Sequence, residues 1–112
     1  MELKLHTISR DKQLYNADAV YADGKVTVKK NSRINITLSE GYKPTTTIKT
    51  LRENDKIVDG KGILLEDVTF DSLSTAASFV TGRTANGMIV WKTDDGKYVR
   101  YSLKQSKAKG ER

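Results

Sequence analysis

The chain has 112 residues, 37% of them hydrophobic and 30% charged, with twenty Lys and Arg against fourteen Asp and Glu for a net charge of +6. That length holds one domain with a modest core, and no apolar run reaches the roughly 20 residues that span a bilayer. The absence of cysteine removes disulfides and thiolate chemistry and suits a cytoplasmic setting, and a single histidine, His6, excludes sites built from several imidazoles.

The opening MELKLHTISRDK lacks the basic-then-apolar order of a secretory signal. Within it, Glu2 to Ile8 alternates, with Leu3, Leu5 and Thr7 on one face, and is predicted to be a half-buried strand. Asp18 to Lys30 has alternating arms around Asp23-Gly24, the dipeptide that supplies positive φ to a two-residue hairpin turn. Ile34 to Leu38, INITL, reads as a further strand, and the only proline, Pro44, falls in the loop after it. Thr45 to Ile57 offers Ile48, Leu51 and Ile57 at helical spacing with threonines able to cap, which predicts a short helix. Asp59 to Gly62 is a turn, and Ile63 to Phe70 reads as a strand apolar enough for burial on both sides. Ser72 is a natural N-cap for a helix whose Leu73, Ala76, Ala77 and Val80 share one face, and Gly82 stands where a left-handed C-terminal cap falls. Thr84 to Gly87 is then a turn, Met88 to Lys92 a strand, and Asp95-Gly96 a second hairpin signal with Lys97 to Leu103 as its returning arm.

These elements make an α+β domain over residues 1–103: a small, mainly antiparallel sheet with two short helices on one side, one of them preceding the C-terminal hairpin. Residues 104–112, KQSKAKGER, hold four basic side chains, one acid and no apolar residue larger than alanine. Such a segment buries too little surface to offset its conformational entropy, so a basic disordered tail is predicted.

No catalytic constellation emerges. Glu66 and Asp67 point to opposite sides of a strand, Asp71 is explained as helix-end charge, and Asp94-Asp95 is a turn, so no metal site is expected. No Gly-x-Ser-x-Gly context accompanies His6, and DGKG is too short for a phosphate loop. The expectation is a protein that is not an enzyme and holds no cofactor.

Binding is the remaining class. Lys25 and Lys29 share one strand face, and with Lys30 and Arg33 they form either a phosphate-contacting surface or an ordinary solvated sheet face. Arg83 and Asn86 flank a turn and carry side chains that read guanine and adenine edges, although Asn-Gly is also a turn dipeptide in its own right. Trp91 is either core or a stacking platform, and Lys92 and Arg100 add charge nearby. Tyr98 and Arg100 would share a face of the last strand, opposite Val99 and Tyr101, as a stacking pair.

The residues Phe70, Ser72, Ser74, Ala76, Ala77, Gly82, Arg83, Asn86, Gly87, Trp91 and Gly96 follow a pattern that resembles the family called domain of unknown function 4357. The pattern is also similar to the related RAMA domain, found beside restriction enzymes and adenine methylases. Asp18 to Ile34 resembles the family's amino-terminal hairpin and Leu51 to Asn54 its middle helix, so the likeness extends to about Leu103. Leu73 stands where the family commonly has proline, and Met88 where it commonly has tryptophan, which removes an aromatic from that position. The resemblance implies a module that recognises nucleic acid, most directly double-stranded DNA with a modified base among its targets, beside a nuclease or methylase partner. The alternative is a protein-interaction domain of such a complex without DNA contact.

Overall fold

The computed structural model describes residues 2–10 and 14–101, and the predicted tail at 104–112 lies outside them. Four strands, β1 (Leu3–Ile8), β2 (Asn16–Ala22), β3 (Lys25–Val28) and β4 (Val68–Phe70), pair antiparallel in sequence order. Asp23 and Gly24 turn β2 into β3 with φ of 54° and 77°, the positive pair a two-residue turn of matching twist demands. Lys92 exchanges backbone hydrogen bonds with His6 on the free side of β1, and Tyr98 bridges Lys92 in turn, so the sheet continues past its first strand.

Alternation decides what each strand buries. Leu5, Ala17, Ala19, Val26, Val28, Val68 and Phe70 face inward, while Lys4, Asp18, Lys25 and Thr69 face solvent. Across the inner face lies α2 (Leu73–Thr81), started by Ser72, whose hydroxyl accepts the Thr75 N–H, and stopped by Gly82 at φ 76°. The rings of Phe70 and Phe79 meet at 5.0 Å between centroids, tilted by 45°. α1 (Thr46–Glu53) begins at Thr45, which accepts the Ile48 N–H, and buries Ile48. These elements confirm the α+β architecture expected from the sequence.

Three local expectations are corrected. INITL is not a strand, because its donors are spent elsewhere: Ile34 N–H goes to Gly62 O, while the Asn35 N–H to Val80 O and the Asn35 side-chain amide to Thr81 O cap α2. Ile63 to Phe70 is not one strand buried on both sides; Ile63 and Leu64 make single bridges, Leu65 and Glu66 are exposed, and only Val68–Phe70 pairs as β4. Met88 to Lys92 is not a strand either. Gly87–Val90 forms a single helical turn, α3, capped by the Asn86 side chain accepting the Met88 N–H, so Ile89 is exposed where Trp91 is buried.

Candidate nucleic-acid interface

The predicted site residues divide among three places. The first is the corner from Ser72 to Trp91, where α2 meets α3. Trp91 is 0% exposed and its indole N–H donates to Leu73 O at 3.1 Å, so it presents no face to a base and is core. Gly87 sits so close to α2 that a Cβ there would lie 2.2 Å from the Leu73 carbonyl carbon. Its N–H donates to Ser74 Oγ at 3.0 Å, and the Ala85 N–H donates to the buried Ser78 Oγ at 3.2 Å. Thr81 Oγ1 donates to Ala77 O at 2.8 Å, and Asn86 caps α3. The small and polar residues that make this stretch conspicuous in sequence are hydrogen-bonded into packing. Arg83 is the one charged side chain here and is exposed.

The second place is the solvent face of the sheet around β3, where Lys29 and Arg33 lie. It is not a bare basic surface. The β3–β4 register sets Lys25 against Asp71 at 2.7 Å, Thr27 against Thr69 at 2.9 Å and Lys29 against Asp67 at 2.9 Å. The same Asp67 carboxylate accepts the Lys30 N–H at 2.7 Å, and on the neighbouring strands His6 Nδ1 lies 2.7 Å from Asp18. Lys29 holds the Asp67 carboxyl below the usual carboxylate range, helped by the Lys30 N–H, and Lys25 does the same for Asp71. Such exposed pairs contribute little stability, but they neutralise the face that a phosphate backbone would need. Arg33 bridges Asn16 and Ile63 through its backbone and stands half-buried at the end of this face.

The third place is the edge from Lys92 to Tyr101. Thr93 and Lys97 close a tight turn in which Asp95 accepts from the Thr93 hydroxyl and the Lys97 N–H, contacts that hold its carboxyl low. Beyond the single Tyr98 bridge the expected hairpin arm does not form. The backbone turns helical at residues 99–101, with Val99 buried. The strand alternation that paired Tyr98 with Arg100 is therefore lost. Lys92 Nζ instead lies 5.3 Å from the centre of the Tyr98 ring, and Arg100 lies 5.7 Å from that of Tyr101. Tyr98 is 40% and Tyr101 50% exposed. Tyr101 was not singled out in the sequence, because a strand would have turned it away from Arg100.

Sequence reading also missed Arg52. From α1 its guanidinium donates to Phe79 O at the end of α2 and to Asn35 O in the loop that precedes α1. With Gly82 N–H on Ser78 O and Asn35 on Val80 O and Thr81 O, this satisfies the last carbonyls of α2. Burial pulls Arg52 below the ordinary arginine value, with Tyr42 acting the other way.

Among the described residues no group of three His, Cys, Asp or Glu side chains is placed to hold a metal ion. The site therefore defines a small α+β domain with a paired sheet face and an aromatic–basic edge. The family model described as a domain of unknown function (DUF4357) matches residues 8–103, and the chain belongs to that family. Searches of curated proteins and of solved structures found no match.

Proposed function

We propose that this protein is a non-catalytic nucleic-acid recognition module for DNA and that it makes contact through the edge from Lys92 to Tyr101. The observation that carries the reading is the interleaving of exposed tyrosines, Tyr98 and Tyr101, with the cations Lys92 and Arg100 lying over their rings. Tyrosine rings stack on bases while lysine and arginine hold phosphates, so this edge offers both halves of nucleotide recognition. The charge balance agrees: residues 92–112 hold seven of the twenty basic side chains but three of the fourteen acids. Three of the acids elsewhere have structural work that supports a role without catalysis. Asp59 accepts the N–H groups of Ile63 and Lys61 in its turn, and Asp67 and Asp71 are paired with lysines. The likeness to the RAMA domain, a modified base as target and a nuclease or methylase as partner all belong to this same proposal.

A second reading, a protein-interaction domain, is favoured by one observation: Ile36 is 63% exposed and Leu38 38% exposed in the loop that caps α2. Salt separates the two, since phosphate contact weakens steeply with ionic strength and an apolar interface does not. The test is fluorescence anisotropy of labelled duplexes, plain and adenine- or cytosine-methylated, and of a matching single strand, titrated with the full chain at two salt concentrations. Salt-sensitive binding that weakens by about 1 kcal/mol or more with Tyr98→Ala or Arg100→Ala is expected. Absence of binding at low salt would overturn the reading in favour of the interaction domain.

A further inference from the structure

A hollow of about 420 Å³ lies between the loop at residues 38–44 and the side of α1, lined by Leu38, Tyr42, Lys43, Pro44, Lys49, Arg52 and Glu53. Its size is that of a small-molecule site. Both walls are fixed: Ser39 N–H donates to Gly82 O and Tyr42 N–H to Ser39 O, while Arg52 is tied to the end of α2.

The charges in this hollow are unbalanced. Arg52 is half-buried, and its bonds to Phe79 O and Asn35 O leave part of a five-donor guanidinium for another acceptor. No carboxylate among the described residues forms an ion pair with it, nor with Lys43 or Lys49. Glu53 is the one acid in the lining, so three cations face a single opposing charge. A partly desolvated cation lacking a counter-charge gains more from an anion than an exposed one does. The excess suits a dianion better than a carboxylate, and Leu38, Tyr42 and Pro44 supply an apolar rim against which a non-polar body can rest.

We infer that this hollow binds a phosphate monoester carried on a flat or apolar body, with Arg52, Lys43 and Lys49 on the phosphate and Tyr42 and Leu38 on the body. The site is separate from the Lys92–Tyr101 edge and does not depend on the proposal made for it. The phosphate has two sources, a free mononucleotide-sized metabolite or the phosphorylated end of a strand.

Calorimetry of the full chain with adenosine 5′-monophosphate, adenosine and inorganic phosphate tests the inference, with 5′-phosphorylated and 5′-hydroxyl oligonucleotides separating the sources. Either the monophosphate or the phosphorylated oligonucleotide is expected to bind at least about tenfold more tightly than its form lacking the phosphate ester and than inorganic phosphate, a difference of about 1.4 kcal/mol. Whichever of the two binds names the source. The double variant Lys43→Glu with Lys49→Glu, which changes two exposed side chains, should abolish that preference while melting as the parent does, and Lys56→Glu, an exposed lysine outside the lining, should leave it intact. The inference is overturned if neither phosphate ester outbinds its unphosphorylated form, or if the charge-reversed variant binds as well as the parent.

Discussion

The corner from Ser72 to Trp91 and the edge from Lys92 to Tyr101 adjoin in the chain and use their side chains in opposite ways. In the corner, the hydroxyls of Ser74, Ser78 and Thr81, the Asn86 amide and the Trp91 indole are all hydrogen-bonded within the fold. At the edge, Lys92, Tyr98, Arg100 and Tyr101 are exposed and touch one another side by side. The more distinctive sequence is the less available one. A pattern of small residues at fixed offsets records how closely two helices approach, whereas the binding surface needs only rings and charges in reach of solvent.

The largest effect that would break this comparison lies at Gly87. An added Cβ would meet the Leu73 backbone at 2.2 and 2.3 Å, where no flexible side chain can yield. Gly87→Ala should cost about 3 kcal/mol or more and lower the melting temperature by more than about 10 °C. A parent-like melt would show that α3 does not dock on α2. Trp91→Phe comes next: it opens a void and removes the indole donor from Leu73 O, for about 2 kcal/mol in chemical denaturation. Asn86→Ala removes the α3 cap and should cost about 1 kcal/mol, while Asn86→Asp, which keeps an acceptor for the Met88 N–H, should melt close to the parent.

The smallest effect is in pH. Contacts with N–H groups, lysines or a hydroxyl depress the carboxyls of Asp59, Asp67, Asp71 and Asp95. Their contribution is complete above the unfolded aspartate value of about 4 and is lost as pH falls through the lower folded values. Melting temperature should therefore stay level down to about pH 5 and decline below about pH 4, and Asp67→Asn should shallow that decline. An unchanged acid profile in the variant would mean the Lys29 pair is not formed in solution.

How far the fold was legible follows from where each hydrogen bond goes. Asp23-Gly24, Ser72 and Gly82 act through their own backbone or the next turn, and they appear where the sequence put them. INITL alternates like a strand, but its N–H groups serve α2 and Gly62, partners no local pattern displays. Met88 to Lys92 was misread because Asn86-Gly87 opens a helical turn here instead of ending a turn that leads into a strand. At the candidate site, the lysines of β3 were legible and their partners were not. Asp67 and Asp71 lie some forty residues further on, and only the β3–β4 register brings them across. Arg52 gave no signal at all, since an arginine in the last turn of a short helix ordinarily points to solvent.

The most direct test sets the two regions against each other on one labelled duplex by anisotropy. The corner variant combines Arg83→Ala with Asn86→Asp, and the edge variant combines Tyr98→Ala with Arg100→Ala. The edge variant should bind at least about tenfold more weakly and the corner variant within about twofold of the parent. Loss of binding in the corner variant with the edge variant unaffected would contradict the assignment and make the packed corner the reading surface.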